Sequence, residues 1–324
     1  MRINFISQID PLRFDGGGER TDRSLIAAGR DRGYDIRVSS AYPTAQYDLL
    51  DDPDLYILSG IHNQPSARTH IDRQLIDGII RDKPYIHIDH AYTDVCDLPY
   101  LPCNGETDGK SCRHKLSVRT QSHRMHKRLG CFAASTREMY RRSLLNVFLA
   151  PLHKRVIEGI VGAESLGRTF LVRPMIDTSV FFDRSLPRDI DNLFVGSLTE
   201  AKGMAHLKER YPEENVTLAG NQGLGVDATF GRQLGFVPQE ELPLLMNRAL
   251  NFVFLPRWPE PMGRVVVEAA LCGCNLIVNG NVGAVSFDFD LADPAGLAGA
   301  ADEFWDELAT VSGSKPIKVP VVSR

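Results

Sequence analysis

Apolar residues recur along this chain in two alternating rhythms. "RINFIS", from Arg2, is apolar at alternate positions and predicts a strand. A glycine loop, "DPLRFDGGGER", follows it. "RTDRSLIAAGRDRGY" then places Leu25, Ile26 and Ala28 on one side of a helix that stops at Gly33. "DIRVSS" and "LYILSG" predict two more strands, "RQLIDGIIRDK" a helix and "PYIHID" a strand. "GCFAAS" predicts a strand that leads into a helix from "TREMYRRSLL".

The rhythm restarts beyond the charged segment "FFDRSLPRDID". There "NLFVGS", "NVTLAG", "NFVFLP" and "CNLIVNG" predict strands, and "AKGMAHLKERYP", "QEELPLLMNRA" and "GRVVVEAALCG" the helices between them. Alternation of this kind belongs to parallel sheets covered on both faces. The expectation is α/β in two domains, residues 1–182 and 183–312, with a joint near 178–190 and a tail, 313–324, that lacks periodicity.

A length of 324 residues suits two domains, and 43% hydrophobic with 24% charged residues is a globular composition. No run of 18 or more apolar residues occurs, and "MRINFISQID" lacks the long apolar core of a secretory signal. Six cysteines spread over the chain do not form a disulfide framework. These features together predict a cytoplasmic protein.

Charge changes the picture in one place. Residues 1–170 carry 24 Lys/Arg against 21 Asp/Glu, and the rest 13 against 20. Lys110 to Arg142 holds ten Lys/Arg, among them Arg124, Lys127 and Arg128, and a single acid, Glu138. Such a stretch is either a solvated helical face or a patch that meets a polyanion or an anionic membrane surface.

Three stretches carry candidate chemistry. Gly16, Gly17 and Gly18 lie between a strand and a helix, where bare backbone and free helix N–H groups suit an anion. Their spacing is not the GxGxxG fingerprint, and a plain tight turn reads equally well. Lys202 follows the strand ending at Gly196 and can meet a phosphate at the mouth of a βα loop. In "EPMGRVVVE", Glu260 precedes a Pro-Met-Gly turn and Glu268 sits about a turn and a half inside the helix that Gly263 opens. A loop acid plus a helix-surface acid leaves Val265, Val266 and Val267 unexplained.

The two acids with seven residues between them, the proline–glycine turn and the following "EAALCG" resemble the retaining glycosyltransferases of family four, which adopt the GT-B fold. "GGGERTDRSLIAAGRDRGYDIRV", "VRPMIDTSVF", "LFVGSLTEAKG" and "LGFVPQEEL" resemble further segments of that family in the same order. The resemblance implies two Rossmann-like domains facing across a cleft, and sugar transfer from a nucleotide-diphosphate donor to a hydroxyl acceptor, hexosyl or pentosyl, without a metal cofactor. It implies that Glu260 holds the donor sugar, Glu268 the ribose and Lys202 the diphosphate. Met262, Gly263 and Gly17 would assist at the phosphates, Phe236 and Val237 would flank the base, and His90 would lie near the sugar. His87 and His90 flank Asp89 on one strand and are read as sharing a face. Ser197 departs from the family, which usually has an arginine there, and Arg264 is the nearest substitute.

The acceptor stays open among a glycan or lipid-linked hydroxyl at a membrane surface, a nucleic-acid hydroxyl and a small soluble molecule. The alternative is a catalytically inactive GT-B module that binds a nucleotide sugar or a partner. Finally, Cys96, Cys103, Cys112 and His114 are soft ligands of the kind that hold zinc, but spacings of six, eight and one residues match no standard pattern, and packed thiols are the competing reading.

Overall fold

The computed structural model describes residues 1–42, 48–61, 72–96, 115–119, 124–128, 133–221 and 230–313, with the backbone path alone at 73, 115–119, 124–128 and 133–135. Two parallel sheets organise it.

The first sheet is built from β1 (Arg2–Ile9), β2 (Asp35–Tyr42), β3 (Leu55–Ser59), β4 (Tyr85–Ile88), β7 (Asn146–Phe148) and β8 (Thr169–Leu171). Their spatial order is β2-β1-β3-β4-β7-β8, and every pairing is parallel. The helices of this half are α1 (Gly17–Asp31), α2 (Arg73–Asp82), α3 (Ala133–Arg142) and α4 (Pro151–Val161). The second sheet contains β9 (Ile190–Val195), β10 (Val216–Ala219), β11 (Arg232–Gly235), β12 (Ala249–Phe254) and β13 (Asn275–Val278), in the order β11-β10-β9-β12-β13. Its helices are α5 (Met204–Arg210), α6 (Leu242–Asn247) and α7 (Arg264–Leu271).

Strands of both sheets are apolar at nearly every position because both faces are covered: β3 is buried throughout, as are Leu193, Phe194 and Val195 of β9. Each buried Leu, Ile or Phe contributes about 1.5–3 kcal/mol. In both sheets the strand order reverses beside the first strand, β1 or β9. The crevice at the carboxyl ends of strands at such a reversal is where open α/β sheets take ligands.

Four departures from the sequence reading have local causes. First, α1 begins at Gly17, not after the glycines, so Gly17 and Gly18 form its first turn. Second, Ala133–Ser135, expected to end a strand, are already in α3, while residues 130–132 lie outside the described residues; the first sheet takes its next strand from Asn146–Phe148. Third, the basic stretch contains an antiparallel pair, β5 (Lys115–Arg119) with β6 (Arg124–Arg128), where a helical face was one expectation. Fourth, the last helix, α8 (Ala300–Ser312), falls in the 183–312 range but packs on the first half. Phe304, Trp305 and Leu308 share a core with Ile3, Phe5, Leu25 and Leu55. The Trp305 ring lies against Gly29 of α1, where a Cβ would collide with it, and its Nε1 donates to the Leu25 carbonyl at 2.8 Å. Arg32 pairs with Asp302 and Asp306, and Arg173 with Glu303, outside this contact.

Candidate functional site

A cavity of about 900 Å³ lies between the two sheets at their carboxyl ends. It gathers segments far apart in sequence. Asp15 to Gly18 come from the loop after β1, and Gly196 and Ser197 from the end of β9. Gly220 and Asn221 follow β10, and Phe236 and Val237 follow β11. Phe254 closes β12, and the turn from Glu260 to Gly263 leads into α7, from which Arg264 and Glu268 project. Lys202 and His90 complete the set. All of the residues expected at a donor, Gly16, Gly17, Gly18, Lys202, Phe236, Val237, Met262, Gly263, Arg264, Glu268, Glu260 and His90, therefore line one space.

Two helix starts face it. α7 opens at Gly263, whose φ of +79° is left-handed and whose conformation no side chain caps. α1 opens at Gly16, again without a side-chain cap. First-turn N–H groups at both starts carry partial positive charge toward the cavity. Small residues keep the two approaches close. A Cβ at Gly17 would sit 3.4 Å from Arg264 Cδ, and one at Gly18 would sit 3.1 Å from His90 Cγ.

The charged groups come in opposite pairs. Lys202 Nζ donates to Glu260 Oε2 at 2.6 Å, with both side chains partly buried. The Lys202 ammonium also stands 5.8 Å from the centre of the Phe254 ring. Glu268 is 1% exposed and has Arg264 at 3.9 Å and Arg20 at 3.8 Å. Burial raises its carboxyl above the usual range, and the two guanidiniums pull the other way. Burial likewise lowers Arg264, against the attraction of Glu268.

His90 is held on one edge. Its Nε2 is 2.7 Å from Asp22 Oδ1 and 2.8 Å from Ser59 Oγ, and Ser59 also donates to Asp22. Burial disfavours its imidazolium, but Asp22 outweighs that and raises its pKa above the ordinary 6.5. His87 does not share this face. β4 ends at Ile88, and three positions separate the two rings, so alternation sends them to opposite sides. His87 turns inward, its Nε2 3.0 Å from Asp94 Oδ2. Behind it Asp89, raised to about 7 chiefly by burial, accepts from the Tyr140 hydroxyl at 2.7 Å. His153 is pushed down to about 3 by burial and by the neighbouring imidazoles.

Three residues of this site had no sequence signal: Arg20, Asp22 and Ser59. Arg20 and Asp22 follow the glycines, but the start of α1 decides which way each points. Ser59 ends an apolar strand and reads only as a turn. Of the four zinc candidates, Cys96 is buried in an apolar cluster with Tyr92, Val95 and Phe148, while Cys103, Cys112 and His114 lie outside the described residues. No group of three or more His, Cys, Asp or Glu able to hold a metal ion occurs among the described residues. The side chains of Arg124, Lys127 and Arg128 are also outside what is described. No described helix is long and apolar enough to cross a membrane.

No family model matches the chain. In sequence, 37% of it is similar to O-antigen chain mannosyltransferase B of Escherichia coli, 34% identical over 151 residues, a match that spans 39% of that protein. In structure it is similar to sucrose-phosphate synthase from Thermosynechococcus elongatus, with a TM-score of 0.60 at 14% identity over 98% of this chain and 92% of that one. Anabaena HepE, solved with UDP and glucose, gives a TM-score of 0.56 at 15% identity over 97% and 93%. An α-glucosyltransferase solved with UDP and a 13-mer DNA gives 0.53 at 11% identity over 97% and 93%. The fold is GT-B: two Rossmann-like domains facing across a cleft.

Proposed function

We propose that this chain is a retaining glycosyltransferase that moves a sugar from a nucleotide-diphosphate donor to a hydroxyl acceptor. The observation that carries the reading is the convergence, in one cleft cavity, of Lys202, Arg264, two uncapped helix starts and the acids Glu260 and Glu268. Cations and free N–H groups suit a diphosphate, and acids suit hydroxyls. The partial sequence match to a mannosyltransferase, and the nucleotide-bound proteins that share the fold, agree with it.

In this reading the base lies against Phe236, which is 70% exposed, and Val237. Glu268 takes the ribose and Glu260 the sugar hydroxyls. The α7 start at Gly263, with Lys202 and Arg264, takes the diphosphate. Arg264 supplies a guanidinium to the cavity that Ser197 also lines. The bond between the anomeric carbon and the diphosphate oxygen breaks while the acceptor oxygen bonds to that carbon from the same face. The acceptor's proton passes to the departing phosphate oxygen. Oriented N–H groups and cations stabilise the charge that develops there. No step needs a metal.

The acceptor side belongs to the first domain, and a cytoplasmic enzyme working on a glycan, lipid-linked or nucleic-acid hydroxyl is the proposal. A thermal-shift screen against UDP-, GDP-, ADP- and dTDP-sugars tests donor binding, since a ligand at 100 times its dissociation constant stabilises by about 2.7 kcal/mol. Binding without turnover on any acceptor would instead identify an inactive binding module.

A further inference from the structure

We propose that Arg20, on α1 of the first domain, is a ligand for the donor diphosphate, so that phosphate binding bridges the two halves of the cleft. This rests on the donor reading above. Arg20 lines the same cavity as Lys202 and Arg264 but comes from α1, a helix of the opposite half.

Arg20 and Arg264 approach a single buried carboxylate, Glu268, at 3.8 and 3.9 Å. Neither distance makes a hydrogen bond. By strict hydrogen-bond geometry both Glu268 oxygens, and Nε and Nη1 of Arg264, are buried without a partner, although the Gln239 side chain stands near enough to Glu268 to help hold its carboxyl down. The Arg264 side chain is only 12% exposed and that of Arg20 19%. Around Glu268, two guanidiniums and one carboxylate leave a local excess of positive charge at the cavity wall, which Asp15, Glu240 and the Lys202–Glu260 pair also line. An excess charge of this kind is costly unless something anionic completes it.

The missing partner has a definite chemistry. Planar guanidiniums suit tetrahedral phosphate oxygens, and uncapped helix starts beside both arginines add N–H donors. The free oxygens of Glu268 ask for hydroxyl donors at the same time. A ribose joined to a diphosphate supplies both. The proximity of Gly17 to Arg264 lets α1 bring Arg20 into this space without a side chain between them.

The competing account is that Arg20 only neutralises Glu268. The two differ in what loss of Arg20 does to phosphate and to nucleoside. Calorimetry on wild type and Arg20→Ala, using UDP, GDP and ADP with uridine, guanosine and adenosine, separates them. The expected result is a loss of about 10- to 100-fold for the diphosphate that wild type prefers, with its nucleoside nearly unchanged. Small-angle scattering should show wild type compacting with that diphosphate and Arg20→Ala failing to compact. Arg20→Lys should recover part of the affinity. Equal losses for diphosphate and nucleoside would overturn the proposal in favour of simple neutralisation. An unchanged diphosphate affinity in Arg20→Ala would overturn it while leaving the donor reading intact. Failure of wild type to bind any of the three diphosphates would sink both.

Discussion

Lys202 and Glu260 are hydrogen-bonded to each other in the cleft, Nζ to Oε2 at 2.6 Å, although they are expected to serve different parts of one donor. A partly buried pair of this kind holds each group in place and also competes with ligand for it. Removing one member therefore has opposite effects on binding and on chemistry. Glu260→Gln frees the ammonium, so affinity for the nucleoside diphosphate is unchanged or higher while turnover falls by about 10- to 100-fold, the size of one lost charge-assisted contact. Lys202→Ala weakens the diphosphate by about 1.5–3 kcal/mol and leaves the nucleoside nearly alone. Calorimetry beside steady-state kinetics checks both. A parallel fall in binding and turnover for Glu260→Gln would remove it from the sugar.

Gly263 carries a backbone demand that sets the start of α7. Its φ of +79° disfavours any side chain, and a Cβ there would stand 3.0 Å from Val282 Cγ1. Gly263→Ala should cost about 1–2 kcal/mol of unfolding free energy. It should also weaken diphosphate binding, because the first-turn N–H groups of α7 move with it. Denaturant unfolding and calorimetry read the two effects separately. A variant of native stability and native affinity would show that this turn is not under constraint.

That turn was legible in the sequence because proline, glycine and two acids occupy fixed offsets there. The strands were legible for a similar reason: burial on both faces makes them short apolar runs. The arrangement around Glu268 was not, since Arg20 reaches it from a helix about 250 residues earlier in the chain. The attachment of α8 to the first sheet was equally hidden. No helix is read there from the sequence, and the apolar positions Phe304, Trp305 and Leu308 do not by themselves say which core receives them. β7, β8 and β11 escaped notice because "NVF" and "TFL" are only three residues long and "RQLG" is a mostly exposed edge strand without an apolar face.

The Asp22–His90 pair should register in the pH dependence of stability. Asp22 raises the His90 pKa above 6.5 despite burial. A histidine whose folded pKa is raised gives a stabilisation that is complete below 6.5 and disappears as pH climbs through the folded value. Asp22→Asn removes that contribution. The stability gap between wild type and variant should therefore be widest below pH 6.5 and narrow as pH rises above it. Denaturant titrations across that range measure it. A gap that stays constant with pH would mean His90 is neutral in the folded protein throughout.

The basic hairpin offers the sharpest test of acceptor class. In its register Lys115 stands opposite Arg128, and Arg119 opposite Arg124. Like charges at directly opposed positions are destabilising in an antiparallel pair. If the acceptor is a nucleic acid or an anionic surface, activity on it should fall steeply with salt, because each neutralised phosphate releases counterions. Donor hydrolysis without acceptor should respond far less, as none of the residues placed on the diphosphate belongs to the hairpin. Changing Arg124, Lys127 and Arg128 to Glu should raise the acceptor KM and flatten the salt slope, with little change in KM for the donor. Duplex DNA, single-stranded DNA and anionic vesicles compared at low salt distinguish the polyanions from one another. If none of them binds and the triple variant keeps the wild-type salt slope, the hairpin has no acceptor role and a small neutral hydroxyl compound becomes the acceptor to test.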